Sequence, residues 1–98
     1  MALDLNDKTA NGNNLTNNGA VEVTTSLPFA QSTSAADFEL SESDYMEAAD
    51  SASLSFTGDF SLELWVKLEQ LPSTSVTTMS LICKRNTSGT DETYLLQM

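Results

Sequence analysis

The sequence predicts an all-β fold, and three features indicate it. Ser, Thr and Asn together make up about a third of the 98 residues, which is typical of a chain with many turns. β-branched and aromatic residues gather in short runs between these polar stretches, as they do in short strands. Apart from a single turn near Asp50 to Ser53, no run has the periodicity of a helix.

The first predicted elements are two short strands among turns. Asn11-Gly12 and Asn18-Gly19 are turn dipeptides, and they flank a brief strand at Leu15-Thr16. Val21 to Thr25 is predicted to form an edge strand, which Pro28 ends or bends.

Two more strands are predicted in the middle of the chain. In Ala36 to Leu40 acidic and apolar residues alternate, so Phe38 and Leu40 would share the buried face of a half-buried strand. Ser41 to Asp44 then forms a polar turn, and Tyr45 to Ala48 forms the next short strand.

The segment Phe60 to Leu68 is predicted to be the longest strand, because apolar and polar residues alternate along its whole length. Gly58-Asp59 opens this strand and Leu71-Pro72-Ser73 ends it. Its apolar face comprises Phe60, Leu62, Leu64, Val66 and Leu68. Its opposite face comprises Ser61, Glu63, Trp65, Lys67 and Glu69.

The C-terminal part is predicted to be a hairpin. Met79 to Lys84 and Thr93 to Met98 form its strands, and the polar segment Arg85 to Glu92 forms its loop. The only cysteine, Cys83, lies in the apolar run of the first strand. We therefore interpret it as a small buried hydrophobic residue, and not as a disulfide partner or a reactive thiol.

Charge and composition exclude several classes of function. The net charge of −10 would repel a phosphate backbone or an anionic membrane, so neither is an expected partner. The simpler interpretation of the excess of acidic residues is that it keeps the protein soluble. The functional interpretation is that it binds cations. Histidine is absent, which removes the usual general base and the commonest zinc ligand, so no enzyme activity is expected.

The length and the N-terminus limit the organisation of the chain. A chain of 98 residues fits one domain, 1–98. Its N-terminus has neither a basic region nor an apolar region of a signal peptide, and no run approaches the ~18 apolar residues of a membrane span.

A family resemblance begins with the run ADFELSESDYMEAADSASLSFTGDFSLELWVKLEQLP. This run is similar, position for position, to the front of laminin-G-like and concanavalin A-like jelly-roll modules, and its strongest part is Asp37 to Lys67. Asp44 to Glu47 takes the place of the family's Asp-Tyr-hydrophobic-Glu step, Asp50 to Leu54 that of its Asp-Ser-x-Ser-Leu bend, and Phe60 to Lys67 that of its central strand. The flanking segments also resemble the family, so the likeness covers nearly all of the chain.

The resemblance implies an antiparallel jelly-roll β-sandwich of about half length, because the family's modules are about twice as long. Residues 1–98 would be a single partial laminin-G or concanavalin A-like domain, and a homodimer would complete the sandwich. The implied function is a non-catalytic module of the carbohydrate-binding or adhesion type, at the cell surface or outside the cell. The alternatives are a structural or assembly protein, such as a surface or virion component, and a detached part of a larger carbohydrate-active protein.

Trp65 is the main candidate for ligand binding, together with its neighbours Glu63 and Lys67 on the polar face of the predicted strand. An aromatic ring between hydrogen-bonding groups suits a sugar ring. In the alternative interpretation, neighbouring loops or a partner sheet cover the indole. Enzymes of this fold use paired carboxylates, but Glu63 and Glu69 would lie about 20 Å apart on a strand, too far for a glycosidase pair.

Asp91 and Glu92 are the candidate metal ligands. The loop KRNTSGTDET loosely resembles the stretch in which pentraxins place calcium ligands shortly after a Lys-Arg pair. Two carboxylates do not complete the six to eight oxygen ligands of calcium, so a solvated acidic loop is the alternative. Asp4, Asn6 and Asp7 do not match the spacing of an EF-hand, and we interpret them as turn and capping residues.

Overall fold

The computed structural model of the protein describes residues 3–69, 79–85 and 92–98, without the side chain of Glu92. The all-β class is confirmed, because every regular element of the described residues is a strand apart from two short 3-10 turns. Within the same residues no helix has the length and apolar character needed to cross a membrane.

The strands pair in twos. The sheets are β1 with β4, β2 with β3, and β5 with β6, and all three are antiparallel. The strands described are β1 Thr16–Asn18, β2 Val21–Val23, β3 Ala35–Asp37, β4 Tyr45–Glu47, β5 Ser80–Arg85 and β6 Glu92–Gln97, and the 3-10 turns are Leu40–Glu42 and Ala52–Leu54. The chain divides into two compact units, Met1–Leu54 and Ser55–Met98.

The first unit is organised around the turn between β1 and β2. Asn17 stabilises this turn, because its side-chain amide donates to the carbonyl of Ala20 at 2.8 Å and accepts from the Ala20 N–H at 3.0 Å. Gly19, between them, has a φ of +100°, which L-residues rarely adopt. The Asn-Gly dipeptide thus forms the turn that the sequence predicts.

Asp44 closes the polar turn that precedes β4. Its carboxylate accepts the backbone N–H of Glu39 at 2.9 Å, and its own N–H donates to the Glu39 carbonyl at 3.4 Å. The same carboxylate lies over Gly19, where a Cβ would be 2.1 Å from the Asp44 Oδ1 atom. One side chain therefore joins two turns that are distant in sequence.

The second unit contains the predicted hairpin of β5 and β6, which is confirmed. Three successive pairs join the strands, Ile82 with Leu96, Cys83 with Leu95 and Lys84 with Tyr94, and a register shift lies on each side of them. The backbones of Met79 and Met98 exchange two hydrogen bonds of 2.9 Å at the open end. The connecting residues 86–91 of the predicted loop lie outside the described residues.

An aromatic group attaches the start of the second unit to this hairpin. The ring centroids of Phe56 and Phe60 are 4.7 Å apart, and each lies 5.4 Å from that of Tyr94. The Lys84 ammonium donates to the Ser55 hydroxyl at 2.7 Å beside them. Ring pairs at these distances are stabilising beyond the apolar area they bury.

The prediction of a strand from Phe60 to Leu68 is wrong. Residues 60–68 have no regular secondary structure. Of the predicted apolar face, Leu62 and Leu68 are half-buried, whereas Phe60, Leu64 and Val66 are exposed. Alternation of apolar and polar residues indicates which side chains could share a face of a strand. A strand also needs hydrogen bonds to the backbone of a neighbouring strand. In the described part of this unit, β5 and β6 pair with each other.

Two further predictions about burial are wrong. β3 ends at Asp37 because the chain soon enters the Leu40–Glu42 turn, and Phe38 and Leu40 are 49% and 60% exposed instead of buried. Cys83 is exposed on β5. An isolated two-stranded sheet is not covered by other layers on both faces. A residue in an apolar run can therefore be exposed.

Hydrophobic residues of the described part of the chain are mostly half-buried or exposed. Ala20, at 7% exposure, is the single buried hydrophobic residue among those described, and no described polar residue is buried. A β-sandwich requires two apolar sheet faces in contact, and the described strands form two-stranded sheets only. The finer prediction of a jelly-roll therefore remains a hypothesis.

Candidate ligand-binding surface

The candidate site centres on Trp65, which is 75% exposed. An open depression of about 420 Å³ lies beside it, and the described residues that line it are Glu63, Leu64 and Trp65. These three are consecutive, whereas a strand would direct Leu64 to the face opposite its neighbours. The irregular backbone of this segment thus allows three consecutive residues, one acidic, one apolar and one aromatic, to border one space.

The structure brings together two of the three residues predicted for ligand binding. Glu63 and Trp65 share the depression, and Lys67 is exposed two residues further on without being among its described lining residues. Leu64 was missed by the sequence interpretation, because the alternation assigned it to the apolar face. No feature of the sequence indicates that the strand pattern fails at this point.

The chemistry of the depression suits a neutral, hydroxyl-bearing ligand. The indole offers a flat apolar surface. The Glu63 carboxylate only accepts hydrogen bonds when ionised, and it would repel an anionic ligand. The apolar Leu64 side chain suits the C–H surface of a ring.

The N-terminal loop uses its acidic residues for turns, as the sequence predicts. The Asp7 carboxylate accepts the N–H of Thr9 at 2.8 Å and that of Asn13 at 2.9 Å, and the Asp7 N–H donates to Asn14 Oδ1 at 2.8 Å. A hydrogen bond of 2.9 Å from the Leu15 N–H to the Leu5 carbonyl closes the loop. Each oxygen of Asp7 is thus already engaged within the loop.

Two carboxyl groups of this loop have perturbed pKa values. Backbone hydrogen bonds from Thr9 and then Asn13 lower the pKa of Asp7 below its ordinary value of 3.8. For Asp4, the hydrogen bond from the Lys8 ammonium is the largest cause of a lowered pKa, followed by the backbone N–H of Asn6. Both groups are therefore ionised at neutral pH and serve as local acceptors.

Of the two predicted metal ligands, Asp91 lies outside the described residues. The backbone of Glu92 begins β6, with Arg85 as its partner in register. Calcium binding by this pair therefore remains a prediction.

The chain matches no protein-family model, no curated protein and no solved structure. The surface around Trp65 and the sequence itself therefore provide the grounds for a functional proposal.

Proposed function

We propose that this protein is a non-catalytic binding module, with carbohydrate as its ligand class and Trp65 as the stacking platform. The observation that supports it most is the exposure of the indole, 75%, beside a carboxylate and an apolar side chain. Large aromatic side chains ordinarily bury most of their area, so an indole in water has a cost that ligand binding would offset.

Carbohydrate is the favoured class because of charge and shape. A neutral sugar presents a C–H face that suits the indole and hydroxyl groups that can donate to the Glu63 carboxylate. Lys67 would contact a longer oligosaccharide if it turned toward the ligand. Polyanions are disfavoured by the net charge of −10.

A non-catalytic role is proposed because hydrolysis of a glycosidic bond needs two carboxyl groups about 5 to 10 Å apart. Glu63 is the one carboxylate among the described residues that line the depression. Histidine, the common alternative acid and base, does not occur in the sequence.

The proposal extends to the fold. The chain would form part of a jelly-roll sandwich, with a second copy covering the apolar faces that its two-stranded sheets expose. Asp91 and Glu92 would contribute oxygen ligands to calcium in such an assembly, and adding calcium during ligand titrations addresses this point.

Titration of the chain with a panel of neutral and acidic oligosaccharides tests the proposal. Trp65 is the only tryptophan, so its fluorescence reports on the site directly. We expect a neutral sugar to change the emission, and calorimetry to give binding that Trp65→Ala weakens by about tenfold or more, as truncation of an aromatic anchor does.

Tyr45→Ala is the matched control, because Tyr45 is also half-exposed, at 50%, but lies in the first unit. It should leave the affinity unchanged. Circular dichroism must show that both variants keep the fold of the parent. A folded Trp65→Ala variant with the parent's affinity would refute the role of the indole.

A structural or assembly role is the second candidate, and a separate observation favours it. Several large apolar side chains of the described residues are exposed, including Val21, Leu40 and Phe38 in the first unit. Exposed apolar surface together with open strand edges favours chain–chain association. A chain that assembles but binds no sugar of the panel would support this candidate over the first.

A further inference from the structure

Asn11-Gly12 and Asn18-Gly19 are the two Asn-Gly dipeptides of the chain. In such a dipeptide the glycine nitrogen can attack the asparagine side-chain carbon, because glycine has no Cβ to obstruct the approach. Asparagine is for this reason a thermolabile residue. The reaction needs an accessible side chain and a backbone that can change its dihedral angles. The two dipeptides differ in how far they meet these requirements.

Asn11 meets the requirement for access. Hydrogen bonds also hold its backbone, from the Asn11 N–H to Thr9 Oγ1 at 3.2 Å and from Thr9 and Asn13 to the Asp7 carboxylate, but the two that involve Thr9 are exposed to solvent. Asn11 and Gly12 are exposed, in the turn of the N-terminal loop. Gly12 has a φ of +71°, and nothing lies within 4 Å of the position that a Cβ would take. No neighbouring part of the fold therefore shields this dipeptide from solvent at Gly12.

Asn18 meets neither requirement. It ends β1 opposite Tyr45, and its Nδ2 atom is inaccessible to water. The two hydrogen bonds between Asn17 and Ala20 hold the turn on both sides of the dipeptide. Gly19 is exposed, but a Cβ at this position would lie 2.1 Å from the Asp44 Oδ1 atom, and the negative charge of this carboxylate opposes loss of a proton from the Gly19 nitrogen.

We propose that Asn11 is a site of spontaneous modification in the native protein, converting to aspartate and isoaspartate, while the fold protects Asn18. The Gly12 nitrogen forms a bond to the Asn11 side-chain carbon, and the bond from that carbon to Nδ2 breaks. Nδ2 leaves as ammonia with the proton that the Gly12 nitrogen gives up. Water then opens the cyclic imide at either carbonyl, which yields the two products without oxidation or reduction.

The modification changes the loop in two ways. Each product adds one negative charge to a chain that already has a net charge of −10. Isoaspartate also lengthens the backbone by one methylene between Thr9 and Asn13, the two residues whose N–H groups bind the Asp7 carboxylate. The hydrogen bonds around Asp7 would not all survive in the isoaspartate form.

Incubation of the full chain at mildly alkaline pH, followed by peptide mapping, tests the proposal. Fragment-ion spectra assign the mass change from amide to carboxylate to residue 11 or 18. In the native protein we expect Asn11 to convert at least about tenfold faster, because Asn18 must first open locally. In denaturant the two rates should agree to within about threefold, because the structure that distinguishes them is lost.

Gly12→Ala is the matched variant, because a Cβ next to the attacking nitrogen slows the reaction at Asn11. It should leave the rate at Asn18 unchanged. Equal rates at the two sites in the native chain would overturn the proposal. So would a preference for Asn11 that persists undiminished in denaturant, since local sequence and not structure would then be its cause.

Discussion

Gly12 and Gly19 show how one residue type serves two different purposes. Both have a positive φ, +71° and +100°. At Gly12 an added Cβ would meet nothing within 4 Å, whereas at Gly19 it would lie 2.1 Å from Asp44 Oδ1 and 2.9 Å from its Cγ. At position 12 glycine is needed only because φ is positive. At position 19 glycine is also needed because a side chain would collide with Asp44.

Gly19→Ala should destabilise the protein more than Gly12→Ala. The backbone cost of alanine in the left-handed region is about 1 kcal/mol at either site. At Gly19 the methyl group also displaces Asp44 from the turn that it closes, so we expect a total loss of about 2–4 kcal/mol. Urea unfolding followed by circular dichroism measures both losses. Equal losses for the two variants would contradict the close contact with Asp44.

Asp4 and Asp7 have lowered pKa values for different physical reasons. The Lys8 ammonium is the main cause for Asp4, and backbone N–H groups are the cause for Asp7. A carboxyl group whose pKa is lower in the folded state stabilises the fold above its unfolded pKa, 3.8 for these groups. That stabilisation is lost as the pH falls below 3.8 and through the folded pKa.

Salt should separate the two carboxyl groups. Screening weakens the exposed ion pair with Lys8, so molar salt should raise the pKa of Asp4 toward 3.8. The pKa of Asp7 should change less, because its hydrogen bonds come from uncharged N–H groups. Carbon-detected NMR titration of the side-chain carboxyl groups at low and high salt measures both pKa values. Lys8→Gln is the control, and it should raise the pKa of Asp4 more than that of Asp7. Parallel shifts of both groups would contradict the assignment of causes.

At this scale the sequence predicts turns better than contacts. Asn11-Gly12 and Asn18-Gly19 were predictable because their glycines supply the positive φ that such turns need. The position of Asp44 over Gly19 was not, because it depends on the pairing of β1 with β4, which is a long-range event. The same holds for Leu64 beside Trp65, since alternation assigned Leu64 to the other face.

Among the elements, short strands next to turns were predictable and the longest predicted strand was not. The hairpin of β5 and β6 is local, so its pairing partner is close in sequence. Phe60 to Leu68 has the stronger alternation, but it lacks a described neighbouring strand. Periodicity identifies the faces of a strand, whereas its existence depends on backbone partners that periodicity does not specify.

The exposure of Cys83 on β5 leads to a prediction for this element. At low protein concentration and low ionic strength, where the chain is expected to be monomeric, a maleimide should modify Cys83 at a rate close to that in the denatured chain, because the thiol is exposed. Mass spectrometry of timed samples measures both rates. Strong protection of the thiol under native conditions would instead indicate that another chain covers this face of the hairpin. If the protection disappears on dilution, the covering chain is a second copy of this protein.

For the whole molecule, exposed apolar surface and net charge act in opposite directions. The described residues expose Phe29, Phe38, Leu40 and Val66 among others, which favours association. Each copy has a net charge of −10, which opposes it. We expect the balance between these two contributions to set the oligomeric state.

Association of two copies should therefore strengthen with salt. Raising the ionic strength from about 0.01 M to about 0.15 M shortens the screening length from about 30 Å to about 8 Å, which weakens the repulsion between copies. Light scattering after size exclusion should show a dimer whose fraction rises with salt at micromolar concentration. A folded chain that stays monomeric at both ionic strengths would rule out the dimer.

The two register shifts in the hairpin limit what such an assembly can become. The regular ladder between β5 and β6 extends over three pairs, from Ile82 to Lys84, before the register changes on either side. Shifts of this kind increase the local twist and bend of a strand. Fibrils grow when flat strands of many chains stack in one register, and a bent strand offers only a short stretch for that. The irregularities of this hairpin thus favour closed association over unlimited growth.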